Sequence, residues 1–166
     1  CQWCQNFNMS RAKPEENDLA EIPPNEIINM CVDKNCKIIA YTYSEPIVAI
    51  EYMLDIAKLA RKNKIKNVLV SNGYINEKPL KELCKYIDGA NIDLKSFNEK
   101  IYKRFCNGNL RDILKSLKIL KKNKVWLEIT NLVIPEINDN KEEVEKMCKW
   151  ISTNLGKDVP LHFSKF

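Results

Sequence analysis

The stretch Ala90-Asn91-Ile92-Asp93-Leu94-Lys95 decides the fold, because polar and apolar residues alternate along it over the length of a β-strand. In a strand, its polar side chains lie on one face and its apolar side chains on the other. Two later segments alternate in the same way: Leu127-Glu128-Ile129-Thr130 and Leu161-His162-Phe163-Ser164. Strands of a doubly wound parallel sheet are apolar on both faces. Three strands with one polar face therefore favour a barrel, or a partial barrel, with a polar interior.

Strand and helix patterns alternate on both sides of that stretch. The predicted strands are 37–43, 67–71, 90–94, 124–134 and 159–166, and the predicted helices are about 25–32, from 46 onward, 77–86, 110–120 and 141–155. Strict alternation implies a parallel sheet with right-handed crossovers. Residues 1–25 are predicted to be irregular. We expect one α/β domain over residues 1–166, with its site near the carboxyl ends of the strands.

Length and charge narrow the function classes. The chain has 166 residues, 27 Lys+Arg and 22 Asp+Glu, a net charge of +5. This is less basic than a dedicated nucleic-acid binder, so nucleic acid is not an expected partner. One helix carries Arg111, Lys115, Lys118 and Lys122 on one side, which is typical of a solvated face, with an RNA or phosphate patch as the alternative. No apolar run approaches the roughly 20 residues of a membrane span. Because the first residue is Cys1 rather than Met, and the sequence stops within a strand pattern at 161–166, we expect a chain truncated at both ends.

The seven cysteines form an odd set in a chain without a secretory signal. This disfavours a disulfide framework and favours a reduced, cytoplasmic compartment. Cys84 and Cys148 fall on helical apolar stripes, which predicts that both pack as small hydrophobic residues. Cys31 and Cys36 have the spacing of a possible metal pair. However, both of them and Cys106 border apolar segments, which favours a structural role.

The segment Cys1-Gln2-Trp3-Cys4-Gln5-Asn6 is the sharpest local signal, and three interpretations of it stay open. A redox dithiol usually heads a helix. A zinc site needs four ligands, but the chain has no second CxxC and only one histidine, His162. An iron–sulfur cluster needs closely spaced thiolates on a loop.

A second signal is Tyr43-Ser44-Glu45-Pro46, at the carboxyl end of a strand where α/β folds place ligands. The alternative is a plain helix start, with Ser44 as the N-cap and Pro46 at the first helical position. Glu128 faces the polar interior, and the sequence does not choose between substrate contact and a hydrogen-bonded filler.

Taken in order, these motifs resemble the radical S-adenosylmethionine (SAM) enzymes, in the branch similar to pyruvate formate-lyase activating enzymes. The resemblance is closest to the AmmeMemoRadiSam group, whose genes accompany AMMECR1-type and Memo-type proteins. The segments that carry it are 1–6, 40–46, 71–74, 91–96, 132–135 with 138–139, and His162.

The resemblance implies a partial (β/α)6 TIM-like barrel and a [4Fe–4S] cluster held by three cysteines spaced CxxxCxxC. Cys1 and Cys4 match the second and third of these, and residues 1–8 match the tail of the cluster-binding loop. The first ligand and the first strand are then expected upstream of this chain, which would be a truncated radical SAM core domain.

The resemblance also implies where SAM binds. The matching residues are Trp3 near the adenine, Ser44, Glu45 and Pro46 at the amino group, Ser71, Asn72, Asp93 and Lys95 around the amino-acid moiety, and Val133 and His162 near the ribose and adenine. In this chain Tyr43-Ser44 stands where many relatives have two glycines. Two alternatives remain: Asp93 and Lys95 as an ion pair that only fixes strands, and His162 as a core histidine.

The implied function is that of a radical SAM oxidoreductase. It would cleave SAM reductively to a 5′-deoxyadenosyl radical and abstract hydrogen from an unidentified substrate, in the manner of a glycyl-radical activase that modifies a protein. Implied partners are an electron donor such as flavodoxin or ferredoxin, and AMMECR1-type and Memo-type proteins. The competing hypotheses are a basic β/α module that binds RNA or a protein, and a zinc or redox protein built on Cys1 and Cys4.

Overall fold

The computed structural model describes residues 1–13 and 20–166. Its strands are β1 (Ile38–Tyr41), β2 (Lys66–Ser71), β3 (Gly89–Asp93), β4 (Trp126–Val133) and β5 (Leu161–Lys165). Its helices are α1 (Phe7–Arg11), α2 (Pro24–Asp33), α3 (Ile50–Lys62), α4 (Glu77–Leu83), α5 (Glu99–Ile101), α6 (Leu110–Lys122) and α7 (Lys141–Asn154). A 3-10 turn (Pro46–Ala49) precedes α3, and a π-helical turn (Tyr102–Cys106) follows α5.

The five strands form one parallel sheet in the order β1-β2-β3-β4-β5. A doubly wound sheet needs a point where the strand order reverses, and this order never reverses. With right-handed crossovers, an unreversed order puts the connecting helices on one face of the sheet. The predicted parallel α/β architecture is confirmed, and the topology is that of a partial barrel.

The face of the sheet that the helices cover holds the core. Leu69, Ile92 and Ile129 on the three central strands are at most 1% exposed. The helices contribute Met53, Ile56, Ala57 and Ala60 from α3, Leu80 and Leu83 from α4, Ile113, Leu117 and Leu120 from α6, and Met147 and Ile151 from α7. Burial of each larger aliphatic side chain contributes about 1.5–3 kcal/mol. We call this side of the sheet the covered face.

The opposite side, which we call the open face, carries the polar residues predicted on β3 and β4. Asn91, Asp93, Glu128 and Thr130 are all partly exposed, and the Thr130 hydroxyl donates a hydrogen bond to Asn91 Oδ1 (2.8 Å). The predicted division into one polar and one apolar face is therefore confirmed for β3 and β4. On β5 it is wrong for Phe163, which was expected on the apolar face and is 49% exposed. None of the helices in the described part of the chain has both the length and the apolarity that a membrane crossing requires.

Two expectations about local structure are wrong. The region 1–25, expected to be irregular, contains α1 and the beginning of α2; its residues 14–19 lie outside the described part of the chain. Cys148 is exposed, whereas Met147 beside it is buried. Consecutive helical residues point about 100° apart, so the apolar stripe of α7 runs through Met147 and leaves Cys148 on the solvent side. Cys84 packs against the core as predicted.

Candidate functional site

The loop after β1 contains two left-handed residues, followed by a carboxylate that binds the loop after β2. Tyr43 and Ser44 both have positive φ (63° and 53°), a left-handed conformation that costs about 1–2 kcal/mol per residue. The Glu45 carboxylate accepts hydrogen bonds from Ser71 Oγ (2.7 Å), Asn72 N (2.8 Å) and Ile47 N (3.3 Å). Glu45 therefore ties the ends of β1 and β2 together. The cap of the turn that follows is Glu45, so the alternative with Ser44 as N-cap is wrong.

The loop after β2 is a tight turn at the same edge of the sheet. Ser71 Oγ accepts from Gly73 N (3.0 Å), and Asn72 Oδ1 accepts from Tyr74 N (2.7 Å). Gly73 has φ +70°, and a Cβ there would lie 2.7 Å from Ile92 Cγ2. Only glycine fits this position without strain. The turn therefore keeps Asn72 and Tyr74 at the carboxyl end of the sheet.

The end of β3 carries an ion pair. Lys95 Nζ lies 2.9 Å from Asp93 Oδ2, and the two side chains are 19% and 30% exposed. The Lys95 backbone N–H donates to Tyr102 Oη (2.9 Å), and Asn138 Nδ2 donates to the Lys95 carbonyl (2.6 Å). Burial raises the pKa of Tyr102, so its hydroxyl stays neutral. Neighbouring segments thus hold the backbone of Lys95 on two sides.

The N-terminal loop with the two cysteines is docked on the π-helical turn. Gln2 N donates to the Phe105 carbonyl (2.9 Å), and the Trp3 and Phe105 rings are 5.2 Å apart between centroids. Cys1 is exposed and Cys4 is half-buried, with Cys4 Sγ 3.7 Å from Ser10 Oγ. Trp3 Nε1 is buried and has no hydrogen-bond partner among residues 1–13 and 20–166.

A cavity of about 120 Å³ joins these segments. Of the residues that the sequence predicted, Cys1, Asn72, Asp93 and Lys95 line it. The other lining residues, which sequence reasoning missed or left without a role, are Tyr74, Tyr102, Cys106, Asn107, Gly108 and Ile113. Three of these six, Tyr102, Cys106 and Asn107, come from the π-helical turn and the left-handed residue that ends it, and no sequence pattern signals that turn. Burial raises the pKa of the Cys106 thiol, outweighing nearby positive charge that includes Lys95.

The remaining predicted residues do not line this cavity. Ser44, Glu45 and Pro46 belong to the loop after β1, Trp3 packs against Phe105, and Val133 pairs with the edge strand β5. His162 projects from β5 in the same row as Thr130 and Asp93. Two strand spacings, about 10 Å, therefore separate the backbones of His162 and Asp93. His162 is 51% exposed, so the alternative of a core histidine is wrong.

The other candidate cysteines lie elsewhere. Cys36 comes two residues before β1, at its amino end. It therefore lies away from the loops at the carboxyl ends of the strands. Its backbone N–H bonds to the Cys31 carbonyl (2.7 Å), so the pair sits together at the opposite edge of the sheet. No group of three or more His, Cys, Asp and Glu residues within the described ranges could hold a metal ion. The structure records all seven cysteines as free thiols.

The basic face of α6 is partly engaged by neighbouring residues. Lys115 Nζ lies 2.8 Å from Glu77 Oε2, and Lys118 Nζ lies 5.4 Å from the centre of the Trp150 ring. The predicted solvated face is consistent with these contacts, and the RNA-binding alternative stays a prediction.

The family model described as the radical SAM superfamily matches residues 1–151. The chain is 40% identical over 166 residues to an uncharacterized protein of Methanocaldococcus jannaschii, covering 100% of this chain and 49% of that protein. It is 25% identical over 126 residues to the 4-hydroxyphenylacetate decarboxylase activating enzyme of Clostridium scatologenes (74% and 40% covered). It is 22% identical over 160 residues to the pyruvate formate-lyase-activating enzyme of Clostridium pasteurianum (91% and 64%). The chain thus spans about half the length of the curated relatives it matches.

Solved structures show the same fold. A domain of a pyruvate-formate lyase-activating enzyme from Bacteroides vulgatus superposes with a TM-score of 0.63 at 18% identity, covering 76% of this chain and 75% of that one. Streptococcus suis SuiB bound to S-adenosylmethionine superposes with a TM-score of 0.70 at 14% identity, covering 90% and 35%.

Proposed function

Because the chain belongs to the radical SAM superfamily, we propose that residues 1–166 form the cofactor-binding core of an enzyme that abstracts hydrogen from its substrate. One observation carries the proposal. Cys1, Asn72 and the Asp93–Lys95 pair, which come from three separate parts of the sequence, line one cavity at the carboxyl edge of the sheet. Ligand sites of parallel β/α folds lie at this edge.

Cys1 and Cys4 are the proposed ligands of a [4Fe–4S] cluster. Both are free thiols on one short loop, and thiolates on closely spaced cysteines are the ligands that such clusters take. Following the family spacing CxxxCxxC, we propose that a third cysteine comes from outside residues 1–166. Residues 1–8 are then the tail of the cluster-binding loop. Residues 1–166 would belong to a core domain that has a further strand outside them.

The proposed SAM site begins in the cavity. The opposite charges of Asp93 and Lys95 match the ammonium and carboxylate of an amino-acid moiety, since charge-assisted hydrogen bonds are the strong ones. Lys95 would bind the carboxylate and Asp93 the ammonium group. Glu45 would act by holding Ser71 and Asn72 in place, because its own oxygens are already engaged.

The nucleoside end of SAM is proposed to extend across the open face. Trp3 offers a buried indole N–H without a partner among the described residues, which fits a hydrogen bond to a bound ligand. Val133 and His162 are the proposed neighbours of the ribose and adenine, and Ser44 and Pro46 flank the amino group. When bound together, a reduced cluster and SAM supply one-electron cleavage of a carbon–sulfur bond and a radical that abstracts hydrogen.

The names of the relatives support a protein as the proposed substrate. Two of the relatives reported above are named as activating enzymes of a decarboxylase and of pyruvate formate-lyase. We therefore propose a protein C–H group as the hydrogen donor, a flavodoxin or ferredoxin as the electron donor, and a reduced cytoplasmic setting. AMMECR1-type and Memo-type proteins remain proposed partners by family resemblance.

Anaerobic reconstitution of the full-length protein with iron and sulfide tests the proposal. We expect the absorption and electron paramagnetic resonance spectra of a [4Fe–4S] cluster, and 5′-deoxyadenosine after reduction in the presence of SAM. A protein that takes up zinc instead of iron, or that gives neither spectrum nor 5′-deoxyadenosine, would overturn the proposal.

Matched cysteine variants make this test specific. Cys1→Ala and Cys4→Ala should each abolish the cluster spectrum, while Cys148→Ala should leave it unchanged because Cys148 is exposed on α7, outside the site. An equal loss of iron in all three variants would argue against ligation by Cys1 and Cys4.

A further inference from the structure

Glu128 stands at the centre of a hydrogen-bonded chain on the open face. Its Oε1 accepts a hydrogen bond from Trp126 Nε1 (2.9 Å), and its Oε2 lies 2.8 Å from His162 Nε2. Trp126 and Glu128 are two residues apart on β4, so their side chains share a face, and His162 reaches the same face from β5. The indole N–H and, after it, the imidazole lower the pKa of Glu128, so this group is a carboxylate near neutral pH.

A carboxylate fixes the proton on the imidazole that it touches. An ionised carboxylate only accepts hydrogen bonds, so His162 Nε2 must carry a hydrogen. In the neutral ring the other nitrogen, Nδ1, is then an acceptor. None of the residues 1–13 and 20–166 makes a hydrogen bond to Nδ1, which leaves its lone pair free for a ligand.

We propose that Glu128 is a positioning residue, which acts through His162 by holding the tautomer with the proton on Nε2 and thereby presenting Nδ1 as a hydrogen-bond acceptor toward the open face. The ligand group that such an acceptor takes is an N–H or O–H donor. Resting on the proposed function, we assign it to the exocyclic amine of the adenine in SAM. The proposal thus gives Glu128 a role in addition to that of His162. Trp126 would act as the brace, the residue whose indole N–H fixes the orientation of the Glu128 carboxylate.

The brace makes one substitution unusually informative. In Glu128→Gln, the indole N–H of Trp126 still needs an acceptor, so the amide oxygen should stay on Trp126 and the amide NH2 should face His162. An NH2 group donates, so Nε2 must become the acceptor and the proton must move to Nδ1. The variant should therefore invert the tautomer of His162 rather than merely weaken its contact.

Nuclear magnetic resonance of the imidazole reads the tautomer directly. We would record ¹⁵N and ¹³C shifts of the full-length protein at pH 8.5, with His162 assigned by comparison with His162→Gln. The wild type should show the Nε2–H form and Glu128→Gln the Nδ1–H form. Adding Trp126→Phe to Glu128→Gln removes the brace, lets the amide turn over, and should restore the Nε2–H form. A wild-type ring with its proton on Nδ1, a charged ring, or a tautomer that Glu128→Gln leaves unchanged would overturn the proposal.

Ligand preference provides an independent second measurement. The reconstituted full-length protein would be titrated with S-adenosylhomocysteine and S-inosylhomocysteine, which differ in an amine and a carbonyl at the purine. Wild type should favour the adenosyl compound by about tenfold, the value of one directed hydrogen bond, and Glu128→Gln should reverse this preference. An unchanged preference in the variant would overturn the assignment of the adenine. A wild-type protein that binds neither compound would count against the proposed function, and the tautomer measurement would still decide the role of Glu128.

Discussion

The two faces of the same sheet differ in almost every physical property. On the covered face, Leu69, Ile92 and Ile129 are essentially inaccessible to solvent and share one core with residues of α3, α4 and α6. On the open face, the residues that alternate with Ile92 and Ile129 are polar and partly exposed, whereas β2 places Val68 and Val70 there. One strand, β3, supplies Ile92 to one face and Asp93 to the other.

The covered face therefore contributes mainly to stability, and the open face mainly to ligand binding. The covered face buries apolar area, which is the dominant favourable contribution to folding. The polar groups of the open face keep their hydrogen bonds mainly by pairing with one another, as Thr130 does with Asn91 and His162 with Glu128. The open face is therefore expected to tolerate substitutions that the covered face does not, and to lose ligand binding when it changes.

The largest expected effect is on the covered face. Ile129→Ala should lower the free energy of unfolding by about 2–5 kcal/mol, because it removes buried methyl groups and leaves a cavity. Thr130→Val, at the next residue on the open face, should cost only about 0.5–1.5 kcal/mol for one lost hydrogen bond. Urea denaturation of both variants measures the two values. Equal losses would break the distinction between the faces.

The next effect should appear in binding rather than in folding. Lys95→Met should weaken SAM binding by about 10–100-fold, the value of one hydrogen bond to a charged group. It should change the free energy of unfolding by less than about 1 kcal/mol, because the pair with Asp93 is partly exposed. Isothermal titration of the reconstituted full-length protein and urea denaturation give the two numbers. A large stability loss with unchanged affinity would mean that the pair only fixes strands.

A smaller effect should appear at alkaline pH, on the covered side. Burial raises the pKa of the Cys84 thiol to about 11. As the pH rises above about 9, the unfolded thiol loses its proton before the folded one, so the folded protein loses stability progressively between about pH 9 and 11. Cys84→Ala should reduce this loss by about 1 kcal/mol at pH 10, allowing for partial exposure of the thiol.

Cys148→Ala, at an exposed position, is the matched control for that measurement. Denaturant titrations at pH 8 and pH 10 compare the two variants with the wild type. If both variants reduced the alkaline loss of stability equally, the burial of Cys84 would not be the cause of that loss.

The smallest effect should come from the loop beside the open face. Replacing Tyr43 and Ser44 by glycine relieves two left-handed residues, about 1–2 kcal/mol each, against about 0.5–1 kcal/mol each for the added freedom of the unfolded chain. We expect a net gain of up to about 1 kcal/mol in thermal or urea denaturation. Ala40→Gly, in extended β1, should lose about 0.5–1 kcal/mol instead. A loss in the loop variant would show that Tyr43 and Ser44 make contacts worth more than their strain.

Much of the fold was predictable because its signals are local. The strand predicted at 67–71 is observed at 66–71, and the helix predicted at 141–155 ends at Asn154. Alternation with period 2 also predicted which residues of β3 and β4 face the polar side. The exposure of Cys148 was missed because the width of a helical apolar stripe cannot be recognised without the surface that it packs against.

The candidate site was predictable only in part. Asp93 and Lys95 were found because a strand end in an alternating β/α pattern is a recognisable place. Tyr102 and Cys106 were not assigned a role in it, because they reach the cavity through a π-helical turn that no periodicity indicates. The dependence of Ser71 and Asn72 on Glu45 was equally hidden, since 26 residues separate the donor hydroxyl from its acceptor.

The sequence by itself therefore determined the parallel α/β class, the polar and apolar faces of β3 and β4, and the family resemblance, because each depends on residues near one another in the chain. Only the tertiary structure decided which of those residues meet. Cys1 and Cys106 line the same cavity, whereas Cys31 and Cys36 lie at the other edge of the sheet. Trp126, Glu128 and His162 form one chain of hydrogen bonds. The physical reason is that such contacts depend on the order and register of the strands and on the packing of the loops, which no local pattern contains.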